Sequence, residues 1–263
     1  MLTTEQIEEF HTNGFLNIGK IYSDEECAEM RAEMFRVMND ETERKPVLNR
    51  DMGGGEFAVR QIVNIWQASD MYLRHAEHPA VAEAVAQLCD TDTLRIWHDQ
   101  VQYKRPMTGG PTGWHQDHPL WPTIQPADLI SSWVPFEDAL QANGCMWMVP
   151  GSHKWGNQQK FIGSRDPFNP LHREPGQLPD DADLTHVPCE VMKGECHLHH
   201  CLTWHGSPAN KTEDDRPAIA VHYMPGHIRH DPVGSHVMDE QVTVPVGAVL
   251  EGDGFPVVYR AAG

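Results

Sequence analysis

The residues of this chain that are best placed to do chemistry are His115 and Asp117, two positions apart, together with His205 far downstream. In an extended strand, residues two positions apart point to the same face, so His115 and Asp117 would stand side by side. A second histidine from another strand would complete a set of two imidazoles and one carboxylate. Such a set binds one side of an octahedral metal ion, leaves the other side open and suits non-haem Fe(II).

A His-x-Asp pair alone says little in a chain with 17 histidines, so its neighbours decide the interpretation. Four motifs follow one another: Trp114-His115-Gln116-Asp117-His118, Asn143-Gly144-Cys145, Val149-Pro150-Gly151-Ser152-His153 and His205-Gly206-Ser207, with Arg216 eleven residues after His205. From about Gln102 to Met224, this set in this order resembles the phytanoyl-CoA dioxygenase (PhyH) family of Fe(II)- and 2-oxoglutarate-dependent oxygenases. That family acts on many substrates, so the resemblance predicts the reaction better than the molecule oxidised.

The resemblance implies a reaction and its cofactors. Fe(II) would bind His115, Asp117 and His205. With 2-oxoglutarate and O2, the enzyme would hydroxylate, or otherwise oxidise at a C–H bond, a small-molecule metabolite and release succinate and CO2. Related halogenases carry a small residue in place of the carboxylate, which opens a site for halide. The presence of Asp117 therefore favours hydroxylation or another oxidation without halogenation.

Arg216 is the candidate for binding the far carboxylate of 2-oxoglutarate and is counted with the catalytic residues. Inside a barrel that carboxylate loses its water, and a guanidinium can meet it with two parallel hydrogen bonds, which a lysine cannot reproduce. By resemblance to the family, three further residues belong to the co-substrate pocket: Gln102, Trp133 and Ser207. All four also have simpler interpretations. Arg216 could be a surface arginine among acidic neighbours, and Gln102 a solvent-facing strand residue. Trp133 could be a core indole, and Ser207 a hydroxyl that caps a turn.

The substrate wall is the part of the site that the sequence defines least. Four side chains are candidates for it: His98, Gln100, Trp114 and His118. The first two share one face of a predicted strand with Gln102. An aromatic-walled pocket would suit a cationic or ring-bearing substrate. Trp97 and Trp121 would either join that wall or fill the core.

A run of cysteines and histidines looks like a second metal site, but the strand pattern argues against it. The run is Cys196, His197, His199, His200 and Cys201. Alternate residues of a strand point to opposite faces, so the five cannot converge on one ion. We interpret them as core and surface residues of the strand that leads to His205, and Cys145 as a small buried apolar residue.

Composition excludes several classes of partner. The 263 residues include 20 Lys and Arg against 38 Asp and Glu, a formal net charge of −18, so the chain should repel phosphate backbones and anionic lipid surfaces. We expect a small-molecule substrate, no nucleic acid and no membrane, and the sequence leaves the oligomeric state open. Residues 1–10 contain no apolar run and the six cysteines form no CxxC pair, which favours free thiols in the cytoplasm.

Two patterns of hydrophobicity predict the fold. The first ninety or so residues are typical of helices, with capping boxes at Thr3 and Ser23, a helix after His78-Pro79 and a first strand at 15–18. Beyond residue 93, short strands alternate with Pro and Gly: 94–104, 129–137, 145–149, 187–191, 196–204 and 217–224. We predict a mainly β protein, a double-stranded β-helix (cupin-like jelly-roll) with the N-terminal α-helices packed on one sheet.

We expect one domain over residues 1–263, with a mainly helical part (1–93), a jelly-roll core (94–225) and a C-terminal extension (226–263). The glycine run at 53–55 is typical of a loop, and the polar stretch 156–188 of a lid or binding loop. Two other functions stay open on the sequence. One is a non-oxygenase metal-dependent enzyme on a cupin-like barrel, which would not need Arg216. The other is a catalytically silent protein that binds 2-oxoglutarate or metal.

Overall fold

The structure is a computed structural model that describes residues 1–52, 58–162 and 178–261. The predicted loop at 53–55 and residues 163–177 of the predicted lid lie outside the described residues. The described helices are α1 Thr4–Asn13, α2 Asp24–Met38, α3 Ile65–Ala68, α4 Asp70–Ala76, α5 Pro79–Leu88 and α6 Gln159–Ile162. The described strands are β1 Phe15–Lys20, β2 Leu48–Met52, β3 Val59–Val63, β4 Thr93–Lys104, β5 Thr112–His115, β6 Ile124–Gln125, β7 Ile130–Pro135, β8 Met146–Met148, β9 Val187–Cys189, β10 Glu195–His200, β11 His205–Ser207, β12 Arg216–Pro225, β13 Arg229–His230 and β14 Val257–Arg260.

Most of these strands belong to one of two antiparallel sheets. The larger sheet has the order β1-β10-β7-β12-β4-β3-β2, with β14 also paired to β4, and the smaller sheet has the order β5-β11-β8-β9. Strands β6 and β13 form a short separate ribbon. Residues of both sheets line one cavity, so the sheets face each other across it. The predicted jelly-roll is therefore confirmed.

The N-terminal helices cover the outer face of the larger sheet, as predicted. Strand β12 shows how one sequence produces two faces, because its side chains alternate. Ile219, Val221 and Tyr223 point outward into the core that the strands share with the helices. Ala220 and His222 point inward and line the cavity. The small Ala220 leaves space on the inner face, while the large outward residues anchor the helices.

The helix starts follow the sequence signals. Thr3 and Ser23 each accept a hydrogen bond from the backbone N–H three residues later, and the side chain at that later position accepts from the N–H of the cap residue. Both predicted capping boxes are therefore complete. Helix α5 begins at Pro79, where the missing N–H costs nothing. None of the described helices is long and apolar enough to cross a membrane.

The structure corrects three details of the strand prediction. The predicted strand 196–204 ends at His200, because the chain turns there and Thr203 donates its N–H to the carbonyl of His200. The helical part also supplies β2 and β3 at the edge of the larger sheet. Polar residues such as Asn49 and Gln61 hide the apolar alternation of these two strands. The C-terminal extension supplies β14, which pairs with β4.

Asp99 is a buried carboxyl group on the helix side of β4. Its Oδ2 accepts a hydrogen bond of 3.3 Å from the backbone N–H of Trp66 in α3, while its Oδ1 has no partner among the described residues. Burial raises the pKa of Asp99 to about 8. In an unfolded chain a carboxyl of this kind titrates near pH 4. The folded protein therefore keeps this proton to a higher pH than the unfolded chain does.

We predict that Asp99→Asn raises the free energy of unfolding by about 2 kcal/mol or more at pH 8 and by much less at pH 5. When the pKa of a carboxyl is higher in the folded protein than in the unfolded chain, the group destabilises the fold increasingly as the pH rises from the unfolded-state pKa to the folded-state pKa. The change in the free energy of unfolding is at most about 1.4 kcal/mol per pH unit. Urea unfolding of the apo-protein from pH 5 to pH 9 measures the difference. Exposed Asp253→Asn is the control; equal pH slopes for the two variants would refute the prediction.

Candidate active site

Two strands of the smaller sheet bring the predicted metal ligands together. His115 ends β5, His205 begins β11, and the two residues are register partners. Their Nε2 atoms lie 3.6 and 3.5 Å from Oδ1 of Asp117. The three ligand atoms lie within 4.8 Å of one another. The donor atoms of this group, which we call the triad, therefore converge on one point.

Asp117 reaches the triad by a different route from the one that the sequence predicts. Strand β5 ends at His115, and Asp117 has helical backbone angles (φ −69°, ψ −54°) before a short 3-10 helix. Gln116 holds the bend, because its buried Nε2 donates to the carbonyls of Gly156 (2.8 Å) and Leu202 (2.7 Å). The prediction that residues 115 to 117 form one extended strand is therefore wrong, although both side chains still meet.

Both imidazoles are oriented to present an unprotonated nitrogen to a metal ion. Nδ1 of His115 lies 2.9 Å from the carbonyl of Gly113, and Nδ1 of His205 lies 2.9 Å from the carbonyl of Thr203. A carbonyl oxygen can only accept, so each Nδ1 carries a proton and each Nε2 is the nitrogen that faces Asp117 and would bind a metal ion. Metal-binding histidines are commonly fixed in this way. The donor set therefore fits a divalent ion such as Fe(II).

The surroundings of Asp117 and His205 favour metal binding. Burial alone would raise the pKa of Asp117, but the neighbouring His205, His115 and His199 outweigh it and hold that pKa well below its usual range. Burial, and then the neighbouring His115, hold the pKa of His205 well below its usual value. An ionised carboxylate and a neutral imidazole are the forms that bind a metal cation.

The second oxygen of Asp117 is held by two residues that the sequence does not single out. Oδ2 accepts hydrogen bonds from Ser131 Oγ (3.1 Å) and His199 Nε2 (3.2 Å). The interpretation of His199 as a core or surface residue needs correction, because its side chain lines the cavity and contacts Asp117. His197 and His199 are two positions apart on β10 and therefore share one strand face, which was the sequence signal available for this contact.

A cavity between the two sheets contains the triad. The larger sheet contributes Gln100, Gln102, Trp133, His199, Ala220 and His222 to its lining, and the smaller sheet contributes Thr112, Met146, Gly206 and Ser207. The predicted co-substrate residues Gln102, Trp133 and Ser207 thus lie around one space with the triad.

Arg216 lies beside this cavity without an acidic partner among the described residues. It is 2% exposed, its Nε has no hydrogen-bond partner there, and its guanidinium carbon lies 5.3 Å from the centre of a Trp133 ring. Neighbouring Asp215 pairs instead with Arg31 at 2.7 Å, so the simpler interpretation of Arg216 as a surface residue is wrong. Burial lowers the pKa of Arg216 to about 10, which leaves it charged at neutral pH. A buried, unpaired cation is costly unless an anion binds it.

A second buried basic residue, Lys104, lies opposite Arg216 and is not evident from the sequence. The two are register partners on β4 and β12. Nζ of Lys104 donates to Ser207 Oγ (2.7 Å) and to the carbonyl of Pro208. Burial, and then the charge of Arg216, lower the pKa of Lys104 to about 6. Ser207 and Trp133 therefore connect the cavity to two buried basic groups.

The Asn143-Gly144-Cys145 motif packs over this lysine. Gly144 has a φ of +88°, and a Cβ there would lie 2.5 Å from the carbonyl oxygen of Pro208 and 3.3 Å from Nζ of Lys104. Any larger residue would be strained in that backbone conformation and would also collide with the β11 end. The glycine therefore lets the loop close over the basic end of the cavity.

On the larger sheet, the two candidates for the substrate wall lie at different depths. Gln100 lines the cavity. His98 lies one layer deeper, with its ring centre 4.5 Å from that of His222. Trp97 and Trp121 belong to a buried cluster on the same side, which favours their core interpretation.

On the smaller sheet, Trp114 and His118 lie outside the described lining of the cavity. Trp114 follows the strand alternation, points away from His115 and packs in a cluster with Trp204. His118 is in the 3-10 helix, where its Nε2 lies 3.0 Å from the carbonyl of Ile124. The structure therefore does not bring these two candidates to the cavity, because closeness in sequence to the metal motif does not give a common direction.

Comparison with known proteins identifies related sequences. The model of the phytanoyl-CoA dioxygenase (PhyH) family matches residues 10–218. The chain is 24% identical over 263 residues to phytanoyl-CoA dioxygenase domain-containing protein 1 of Danio rerio, a match that covers 85% of this chain and 90% of that protein. It is 29% identical over 240 residues to the peroxisomal phytanoyl-CoA dioxygenase of Rattus norvegicus, covering 85% and 68% of the two proteins.

A solved structure shares the fold. The non-haem α-ketoglutarate-dependent carbocyclase SnoK from nogalamycin biosynthesis superposes with a TM-score of 0.80 at 24% identity, covering 97% of this chain and 96% of SnoK. The family match includes the triad, Lys104 and Arg216. The chain therefore belongs to the phytanoyl-CoA dioxygenase (PhyH) family of Fe(II)- and 2-oxoglutarate-dependent oxygenases.

Proposed function

We propose that this protein hydroxylates, or otherwise oxidises at a C–H bond, a small-molecule metabolite and releases succinate and CO2. Family membership gives the coarser class, a non-haem iron oxygenase that uses Fe(II), 2-oxoglutarate and O2. One observation carries the proposal: the triad shares its cavity region with Arg216, a buried cation without an acidic partner among the described residues. A keto acid that chelates a metal and ends in a second carboxylate needs both features side by side.

In the proposed site, Nε2 of His115, Nε2 of His205 and Oδ1 of Asp117 hold Fe(II). The bound iron would supply the chemistry by which O2 and 2-oxoglutarate oxidise the substrate. The carbonyls of Gly113 and Thr203 keep both imidazoles in the metal-binding tautomer. Three protein ligands on one side leave the other side of the site for small molecules.

Arg216 and Ser207 would bind the distal carboxylate of 2-oxoglutarate, with Trp133 and Gln102 as the wall beside them. A guanidinium binds a carboxylate through two charge-assisted hydrogen bonds, which are strong where water is excluded. Lys104 donates to Ser207 Oγ, so the hydroxyl keeps its own proton to donate to the carboxylate. Lys104 therefore orients Ser207 and can add positive charge at the end of the cavity that receives an anion.

The substrate is proposed to be small and to bind through neutral polar groups. Asp117, which belongs to the triad, is the only acidic residue in the described lining of the cavity. A cationic substrate would therefore find no free carboxylate there, and a ring-bearing or neutral polar molecule fits the amides of Gln100 and Gln102 better. The net charge of −18 also disfavours a polyanion such as a coenzyme A ester.

We also propose that residues 1–263 form one domain and that the protein works in the cytoplasm. Pairing of β14 with β4 supports the first point, because it ties the C-terminal extension to the core sheet. The six cysteines are free, which supports a reducing compartment.

Binding of 2-oxoglutarate to iron tests the proposed function. Anaerobic addition of Fe(II) and then 2-oxoglutarate to wild-type apo-protein should produce a visible charge-transfer band. His205→Ala should abolish the band, because one ligand is lost. Arg216→Lys keeps a positive charge but loses the paired hydrogen bonds, so we expect it to need roughly 10- to 100-fold more 2-oxoglutarate. Absorbance titration measures all three.

Arg31→Lys is the matched control, because Arg31 pairs with Asp215 away from the cavity and should titrate like the wild type. Fe(II) binding without a band at any concentration of 2-oxoglutarate would contradict the proposed function and favour a non-oxygenase metal enzyme. Failure to bind Fe(II) at all would favour a catalytically silent protein.

Lys104→Met should weaken 2-oxoglutarate binding by about tenfold, because the hydrogen bond that orients Ser207 is lost. Metal affinity should change less than twofold, since Lys104 touches no triad residue. Calorimetric titration of Zn(II)-loaded protein, which does not turn over, measures both affinities. Lys193→Met, which removes a pairing with Glu137 outside the cavity, is the control. An unchanged 2-oxoglutarate affinity in a folded Lys104→Met variant would show that Lys104 plays no part in binding.

A further inference from the structure

A line of hydrogen bonds runs from the cavity wall to the carboxylate of the triad. Gln61 Nε2 donates to Gln100 Oε1 (2.6 Å), and Gln100 Nε2 lies 3.2 Å from Nε2 of His222. Nδ1 of His222 lies 2.6 Å from Ser131 Oγ. Ser131 Oγ then donates to Oδ2 of Asp117 at 3.1 Å. Four consecutive contacts thus connect a residue of the third strand with a metal-ligand candidate.

The direction of this line is fixed at its carboxylate end, and the amide orientations of Gln61 and Gln100 agree with it. A carboxylate only accepts, so Ser131 must give its single proton to Asp117 and accept from Nδ1–H of His222. At the other end, the amide oxygen of Gln100 accepts from Gln61, so its Nε2–H group faces His222. Nε2 of His222 therefore accepts, and the imidazole is neutral with its proton on Nδ1. Every donor points towards Asp117, with no conflict between the two ends.

The contacts of Asp117 show what this line does to the carboxylate. Oδ1 faces the Nε2 atoms of His115 and His205, at 3.6 and 3.5 Å. Oδ2 accepts from both Ser131 and His199, which occupies its lone pairs. A carboxylate held in this way offers a single oxygen to a metal. Binding through one oxygen leaves one more coordination position open than chelation through two.

We propose that Gln100, His222 and Ser131 are positioning residues that form a one-way hydrogen-bond relay, which restricts Asp117 to single-oxygen ligation and couples occupancy of the cavity wall to the metal ligand. The inference rests on the proposed metal centre. Gln100 lines the cavity and is partly exposed there, whereas Ser131 is fully buried. A ligand that takes the Nε2–H of Gln100 removes the donor to His222. The hydrogen bond from Ser131 to Asp117 then weakens, although the ligand touches neither residue.

The chain contains a matched control for Ser131. Ser132 is the next residue on β7 and is equally buried, but strand alternation turns it to the other face. Its Oγ has no hydrogen-bond partner among the described residues. Ser132→Ala therefore removes the same atom from the same strand without touching the relay.

Metal affinity tests the relay without turnover. Competition between the protein and a chromogenic chelator gives the dissociation constant for Co(II). We expect Ser131→Ala to weaken Co(II) binding by about tenfold, as for other groups that orient a ligand, and Ser132→Ala to change it less than twofold. Gln100→Leu should weaken Co(II) binding by about threefold, although Gln100 acts only through His222 and Ser131. In the double variant Ser131→Ala/Gln100→Leu, the loss should equal that of Ser131→Ala alone, because the relay is already broken.

Two results would overturn the relay in a protein that binds Co(II). One is no effect of Gln100→Leu, and the other is full additivity in the double variant. A wild-type protein that binds no Co(II) would instead refute the proposed metal centre, and the relay with it.

Nitrogen NMR of ¹⁵N-histidine-labelled apo-protein gives an independent readout. The signals of His222 are identified by their absence from the spectrum of His222→Gln. In the wild type they should show the Nδ1–H tautomer. An Nε2–H tautomer would refute the relay, whatever the measured metal affinities are.

Discussion

The pairing of β5 with β11 is the constraint on which the site depends. It places His205 opposite His115, and a slip of one residue would turn one imidazole to the far side of the sheet. Gly206 permits this pairing, because a Cβ there would lie 3.0 Å from the carbonyl of Thr112 and 3.2 Å from the backbone nitrogen of Trp114. The glycine after the second histidine is thus a packing requirement of the metal site, and Gln116 then bends the chain to bring in the carboxylate.

Opposite charges are separated across the same cavity. Asp117 stays anionic with the two imidazoles, while Arg216 and Lys104 lie at the end marked by Ser207 and Trp133. Neither basic group has an acidic partner among the described residues, and Arg216 stays charged at neutral pH, so the fold alone leaves the guanidinium charge uncompensated. A dicarboxylate that bridges a metal ion and the guanidinium would balance both ends, which gives the cavity a physical reason to prefer 2-oxoglutarate over a monocarboxylate.

Sequence reasoning succeeded where residue type and spacing carry the chemistry. The convergence of the triad, the burial of Arg216 and the capping boxes of α1 and α2 follow from motifs that can be read locally. It failed for Trp114 and His118, because neighbours in sequence point in different directions. It also missed Ser131, His199 and Lys104. Their contacts join residues far apart in the chain, and only the strand register decides which of many polar residues meet.

The central claim is that one cavity holds a metal ion and the co-substrate together. A crystal structure of the protein grown without oxygen, with Fe(II) and the unreactive analogue N-oxalylglycine, tests it most directly. We expect the metal on Nε2 of His115, Nε2 of His205 and one oxygen of Asp117. The distal carboxylate of the analogue should lie on Arg216 and Ser207. A metal bound elsewhere, or an analogue whose distal carboxylate leaves Arg216 unpaired, would contradict the account.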